Sequence, residues 1–265
     1  MSGMSDSLYN FRLLDELSKK DSAIHKLHPV SKLLATVFYI VAIVSFNKYA
    51  ISQLIPFLLY PLLIFILSDL PLKPLLKMLI PAELFVAALG IFNPLLDKTT
   101  FLLGGLKLSM GMVSLISLIL KCTLIVFCVI LFAATTGSLG IAYSMRRIKM
   151  PKIIVMLFLM IYRYIAVFLE EFENTVNAYK LRNPLAKGVE ISAWGSLLGL
   201  SFIRAYDRAQ SIYDCMLLRG FDGEYKTAKI KIKVADFVFL LLAAVGFLFF
   251  RLLDISQLIG SLLVR

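Results

Sequence analysis

Apolar residues in this chain gather into long runs separated by short charged stretches, a pattern suited to crossing a bilayer rather than covering a soluble core. A helix needs about 17 to 25 mainly apolar residues to cross a hydrocarbon layer of ~30 Å. Residues 30–46 form the first such run, entered from Lys26 and Lys32, and residues 50–68 form the second after the polar Asn47-Lys48-Tyr49. The pair reads as a helical hairpin. Pro56 and Pro61 fall inside the second run, where neighbours in a bundle can satisfy the carbonyls that proline frees. Residues 75–92, interrupted by Pro81 and Glu83, give a third crossing. Residues 106–134, read as one long tilted helix with Lys121 in its middle, give a fourth, and residues 235–250 give the last.

Residues 150–182 break the pattern. Their apolar half, 153–169, is long enough to span, yet Arg163 stands at its centre and Glu170, Glu171 and Glu173 follow at once. A central arginine costs about 2.5 to 3.5 kcal/mol on insertion scales. We read this segment as an amphipathic helix at the cytoplasmic interface, the alternative being a sixth span with its arginine paired inside the bundle. The expected fold class is an all-α integral membrane protein: about five transmembrane helices plus long cytoplasmic amphipathic helices. The expected divisions are an N-terminal arm (1–29), four crossings (30–134), a helical cytoplasmic region (135–233), a last crossing (234–250) and a tail (251–265).

Composition and charge sharpen this. Sixty per cent of the 265 residues are apolar, against roughly half in soluble domains. Lys and Arg number 28 against 17 acidic residues, and they concentrate outside the apolar runs. Twenty-two of them lie in the N-terminal arm, at Lys32, at Lys73 and Lys77, and between Arg146 and Lys233; only 5, Lys48, Lys98, Lys107, Arg251 and Arg265, fall on the other face. The bias of cationic residues toward the cytoplasm then puts the N-terminus inside and, after five crossings, the C-terminus outside. Basicity here reports topology, and nucleic acid is not expected as a partner because most phenylalanines sit within apolar runs.

Other chemistries find little support. Cys122, Cys128 and Cys215 form no CxxC pair and read as packing residues, and His25 and His28 alone make no metal cage. The polar first 29 residues, ended by Pro29, are unlike a cleavable signal peptide. There is no GxxxxGK[ST] pattern, so the chain is not expected to hydrolyse ATP. Glu83, Asn93 and Lys121 keep an intramembrane enzyme in view, because polar groups within a membrane are often functional, but they form no recognisable constellation. A stand-alone secondary transporter would be expected to show an inverted repeat, and none is visible.

Between the fourth and last crossings, two helical stretches end alike. One runs from Glu170 to Leu181-Arg182 and stops at Asn183-Pro184; the other runs from Ile203 to Leu218-Arg219 and stops at Gly220. An arginine in a last turn complements the helix dipole, which is explanation enough for its presence. The functional alternative is that two arginine-tipped ends offer forked donors to acidic groups of a soluble partner, with Gly220 permitting close approach of backbone.

In order, these stretches resemble the transmembrane T component of energy-coupling factor transporters. His28-Pro29-Val30-Ser31-Lys32-Leu33 resembles that family's Asp-Pro-Arg-x-Lys-Leu, with His28 in place of aspartate. Ala134-Thr135-Thr136 resembles the end of its fourth long helix; residues 147–151, Tyr162-Arg163-Tyr164-Ile165 and Leu169-Glu170-Glu171 resemble its basic-proline turn and following helix. Residues 216–223 are similar to the second of two Ala-Arg-Gly signatures, with Leu218 replacing alanine, and Leu181-Arg182-Asn183 stands where the first would be. The resemblance covers residues 25–250 and is nearest the cobalt-type branch.

The resemblance implies a multi-pass scaffold in a prokaryotic cell membrane. It would join two ABC-type ATPase subunits, which bind the ATP, to a substrate-binding S component or a metal-binding membrane protein, and would itself carry no cofactor and no catalytic site. Arg182, Arg219 and Gly220, with Leu181 and Leu218, would seat in the ATPases. Arg163, Glu170 and Glu171 would order the coupling segment, Arg163 through a nearby carboxylate, and Phe172, Val176, Ile212 and Met216 would face the substrate-binding protein or pack against the membrane domain. Cobalt is the cargo implied, with nickel or a vitamin as the alternative.

Overall fold

The structure is a computed structural model and describes residues 15–49, 51–92, 94, 100–103, 106–184, 188–223 and 232–252. The sequence readings that involve Arg12, Asn93, Lys98, Arg265 and the tail beyond residue 252 lie outside these. The helices are α1 (Pro29–Val44), α2 (Ile51–Leu54), α3 (Leu59–Ser68), α4 (Leu72–Gly90), α5 (Met110–Arg147), α6 (Lys152–Arg182), α7 (Ile191–Leu218) and α8 (Val234–Leu252). Two short strands, β1 (Thr100–Leu103) and β2 (Leu106–Ser109), pair antiparallel with Thr100 opposite Ser109. The protein is an all-α membrane protein apart from this hairpin, and the expected start of the fourth crossing moves from Leu106 to Met110. The reason is local: Leu106-Lys107-Leu108-Ser109 alternates with period two and follows Gly104-Gly105, a two-residue hairpin dipeptide.

By length and composition, four helical stretches among the described residues can cross a membrane: Ile51–Ser68, which comprises α2, a 3-10 turn and α3, then α5, α6, and Val234–Arg251. This set differs from the expected five. At 16 residues α1 is a shorter apolar helix, and α4 is absent from the set because Lys73, Lys77 and Glu83 dilute its apolar run. α6 qualifies through its apolar first half despite Arg163.

The chain forms two compact units, one comprising Leu13–Ser144 and Lys229–Arg265, the other containing Met145–Ala228. In the first unit, α1 is held at both ends. Its N-cap is His28, whose ring Nδ1 accepts from the Val30 amide at 3.3 Å. The His28 amide donates to Asp236 Oδ1 at 2.6 Å, and Asp236 Oδ2 accepts from the Lys233 amide at 2.7 Å, one turn back at the start of α8. One carboxylate, only 2% exposed, thus caps two helix N-termini, where backbone amides and the helix dipole both favour an anion. At the other end of α1, Lys121 of α5 donates to the Phe46 carbonyl at 2.7 Å, and Arg251 of α8 donates to the Ser45 carbonyl at 3.2 Å while lying 4.4 Å from the Phe46 ring. Carbonyls at a helix C-terminus want cations for the same reason amides at the N-terminus want anions. These contacts also fix direction: α1 and α8 run parallel, and α5, which meets α1 through Lys32 with Thr135 and Phe46 with Lys121, runs antiparallel to both.

Between the two ends lies an aromatic core. Tyr39, Tyr60 and Phe247 meet with ring centroids 4.8 to 5.4 Å apart, and Leu54, Phe57, Leu124 and Cys128 complete the cluster. Pro61 has no amide to offer the carbonyl four residues back, and that carbonyl, Phe57 O, accepts instead from the Tyr39 hydroxyl at 2.9 Å. This is the repair that makes a proline tolerable where no water is present.

α5 is one element with a break. Gly137 adopts φ 64°, ψ 169°, a backbone region open almost only to glycine. Beside the break, Thr135 O accepts from the buried Lys32 ammonium at 2.8 Å, and Ser138 Oγ lies 3.3 Å from Asp15 Oδ1 of the N-terminal arm. A Cβ on Gly137 would stand 2.5 Å from Ser18 Oγ and 2.9 Å from its Cβ. The arm is itself tied by His25, whose Nε2 donates to the Leu17 carbonyl at 3.0 Å, leaving Nδ1 to accept from the Ser22 hydroxyl at 2.7 Å. Partial burial holds the His25 pKa below its ordinary value, against the opposing effect of the bond to Leu17.

Two outcomes are expected for this unit. Gly137→Ala combines a disfavoured backbone with the collision at Ser18 and should cost about 2 to 4 kcal/mol, lowering the thermal unfolding midpoint in detergent. Asp236→Asn leaves one of two buried amides facing an amide nitrogen and should cost about 1 to 3 kcal/mol in the same measurement.

Candidate functional site

The second unit is built on α6 and α7. Ahead of α6, the chain leaves α5 through a Schellman turn, in which the Met150 amide reaches Met145 O at 3.2 Å, the Lys149 amide reaches Arg146 O at 3.1 Å, and Lys149 takes φ 68°. Pro151 then sets the start of α6. α6 and α7 cross antiparallel: Glu171 Oε2 accepts from Arg208 Nη2 at 2.8 Å, and Thr175 Oγ1 accepts from Arg204 Nη1 at 3.2 Å. Phe172, Thr175 and Val176 of α6 and Leu197 and Ser201 of α7 are buried at the crossing, with Trp194 6.3 Å from the Phe172 ring.

The residues singled out in sequence fall into three places. Leu181-Arg182 closes α6 and Leu218-Arg219 closes α7, and because the helices are antiparallel these tips lie at opposite ends of the pair. Both leucines are almost fully solvated, at 82% and 88% exposure, and both arginines are exposed with no carboxylate partner among the described residues. The tip of α7 is a second Schellman turn: Phe221 N donates to Met216 O at 3.0 Å, Gly220 N donates to Leu217 O at 2.9 Å, and Gly220 has φ 73°. Gly220 is therefore required by the backbone itself. At the tip of α6, Asn183 caps with its amide on Tyr179 and Lys180 carbonyls and no such turn forms.

The second place is the crossing. Phe172 and Val176, expected to face a partner or the membrane domain, are buried between α6 and α7, because the antiparallel register turns that stripe of α6 inward. For Arg163 the sequence left the carboxylate partner open; in the structure Glu171 pairs with Arg208, while Arg163 is exposed and lies 5.6 Å from the neighbouring Tyr164 ring. Glu170, one residue round the helix, is exposed. Arg204 and Arg208 were missed as ordering residues. Their spacing of four on one face of α7, opposite Glu171 and Thr175 also four apart, was the available signal.

The third place is the stretch of the pair where Ile212 and Met216 of α7, with Met160 and Tyr164 of α6, line two cavities. Cys215 is exposed along it. Among the described residues, no group of three or more His, Cys, Asp or Glu is placed to hold a metal. In the first unit, Lys121 is engaged with carbonyls at the end of α1, and Glu83 Oε1 is buried without a hydrogen-bond partner.

Long apolar helices, four stretches of which among the described residues can cross a bilayer, define a multi-pass membrane protein. The chain belongs to the cobalt transport protein family (CbiQ), whose family model matches residues 20–230. It is 27% identical over 233 residues to the energy-coupling factor transporter transmembrane protein EcfT of Streptococcus equi subsp. equi, across 80% of this chain and 84% of that one. An uncharacterized protein of Methanocaldococcus jannaschii is 33% identical over 95 residues, spanning 36% of this chain and 35% of its own length. A putative fused cobalt transport protein, CbiMQ, of Methanocorpusculum labreanum is 29% identical over 111 residues, covering 41% of this chain and 18% of that protein.

Gly220→Ala is expected to destabilise the α7 tip by about 1 kcal/mol, the usual cost of a side chain in the left-handed conformation. Amide exchange at residues 216–221 should speed up while the global unfolding midpoint stays within error.

Proposed function

We propose that this chain is the transmembrane T component of an energy-coupling factor importer, passing movement from two ABC-type ATPase subunits to a substrate-binding membrane protein. The observation that carries the reading is the pair of solvated Leu-Arg ends on α6 and α7. An exposed leucine beside an unpaired arginine is poorly explained as a helix cap, since the cap needs only the charge. It suits a protein pocket that is apolar with an acidic rim, where an arginine fork and a buried leucine both contribute. Two such ends at opposite extremes of one crossed pair suit two motor subunits, and the salt-bridged crossing would transmit a shift of one tip to the other.

Direction of the helices supports placing both on one side of the membrane. Because α1 and α8 are parallel and α5 is antiparallel to them, the chain crosses an even number of times between α5 and α8. α6 alone cannot be a sixth crossing; it crosses with α7 or neither crosses. α7 carries Arg204, Asp207, Arg208 and Asp214, which favours neither crossing. The cationic bias of residues 146–233 supports that face as the cytoplasmic one, with the N-terminus on the same side, in a prokaryotic cell membrane.

ATP would be bound by the partner ATPases, and this chain would be a scaffold and no enzyme. The family description and the fused relative favour cobalt as cargo, with nickel or a vitamin as the alternative, and the cargo site would belong to the S component or metal-binding partner. Arg182→Glu combined with Arg219→Glu is expected to abolish co-purification of the ATPases while the chain still inserts in the membrane. A double variant that still pulls down both ATPases and supports uptake would refute the assignment.

A further inference from the structure

Beyond the bridge from Arg208 to Glu171, α6 and α7 continue antiparallel, so about two turns back along α6 and about three turns on along α7 reach the same stretch of the pair. Arg163 stands there on α6 and Arg219 on α7. Both line one cavity of about 560 Å³, together with Arg208, Ser211 and Cys215, which follow one another at spacings of three and four along a single side of α7. These residues all belong to the unit containing Met145–Ala228, so the cavity lies within one compact body. Its lining, among the described residues, holds three arginines and no carboxylate. Arg208 gives one bond, from Nη2, to Glu171 and keeps its other donors uncommitted among the described residues. Arg163 lies 5.6 Å from the Tyr164 ring, and neither it nor Arg219 has a carboxylate partner among those residues.

We propose that this cavity binds the phosphate group of a small soluble anion. Like charges gathered around one cavity repel, and Glu171 offsets only one of the three. A multiply charged oxyanion relieves that repulsion, and the planar guanidinium fork matches phosphate oxygens in pairs. Tyr164 and Phe221 line the same cavity, which gives room beside the charges for the organic part of a phosphate ester as well as for inorganic phosphate. The inference stands on the cavity and does not depend on ATPase docking. Arg219 belongs to both surfaces, so an anion held here competes with a partner for the α7 tip, and the test leaves Arg182 and Arg219 unchanged.

Cys215 supplies the readout, because it is exposed and lines the cavity, whereas Cys122 is only partly exposed and lies in the other unit. The purified full chain in a nonionic detergent would be alkylated at constant ionic strength in chloride, and each cysteine followed by peptide mass spectrometry. Inorganic phosphate should slow alkylation of Cys215 saturably and leave the rate at Cys122 unchanged. Arg163→Gln should raise the phosphate concentration for half-protection about tenfold, the factor one charge-assisted contact commonly carries, and Arg163→Lys should fall between. Lys180→Gln, which removes the same charge about five turns along α6, should leave that concentration unchanged. An unaltered Cys122 rate checks that each variant keeps its fold. Protection by phenyl phosphate at lower concentration than inorganic phosphate would assign the site to an ester, and the opposite order to the free ion. Protection that chloride matches, wild-type protection in Arg163→Gln, or an equal loss in Lys180→Gln would overturn the proposal. So would protection by short-chain phosphatidylglycerol but not by phosphate, or protection seen only with added ATPase subunits, which would leave the scaffold reading standing and give these arginines to a protein carboxylate.

Discussion

The membrane unit depends on one buried carboxylate. In water, the first amides of a helix can bond to solvent; inside a bilayer or a tight bundle they cannot, and each left bare costs about what a lost hydrogen bond costs. Asp236 answers two such ends at once, bonding the amide that opens α1 and the one that opens α8. The same logic governs the far end of α1, where Lys121 and Arg251 meet the carbonyls of residues 45 and 46. The first helix is thereby complemented by an anion where its dipole is positive and by cations where it is negative. Charges that hydropathy alone would count against membrane insertion are the groups that specify how these helices pair.

The two units rest on different physics. The membrane unit combines that polar clasp with an aromatic core of Tyr39, Tyr60, Phe57 and Phe247, in which even the carbonyl freed by Pro61 is recovered by a tyrosine hydroxyl. The α6–α7 pair has little core. A few residues are buried at the crossing, and a half-exposed ion pair adds little stability of its own. A pair with so little buried between its helices is well suited to changing its crossing angle.

Much of the helical plan was legible from apolar run length, because that length is imposed by the bilayer. The helices near residues 30–46, 50–68 and 235–250 fall where the runs do. The strand at Leu106 was hidden because a four-residue alternation is too short to outweigh the apolar run it adjoins. The break at Gly137 was equally hidden, since one glycine in a long helix is usually tolerated and its backbone angles depend on the arm that packs into it. In the candidate site, the helix ends at Arg182 and Arg219 could be read from Asn183-Pro184 and Gly220, which act locally. The partner of Arg163 could not, because several carboxylates lay within reach in sequence and only the register of α6 against α7 assigns Glu171 to Arg208. Asp236 carried a local signal for only half of its role: an acid in the first turn of α8 bonds the Lys233 amide, while the other amide it bonds lies 208 residues away.

That separation bears on biosynthesis. α1 leaves the ribosome well ahead of α8, the last of the described helices, so α1 waits while the segments between them are made without the carboxylate at its start or the guanidinium at its end. Until α8 arrives, the bundle lacks the groups that close both ends of α1. Arrival of α8 and sealing of α1 are therefore a single event.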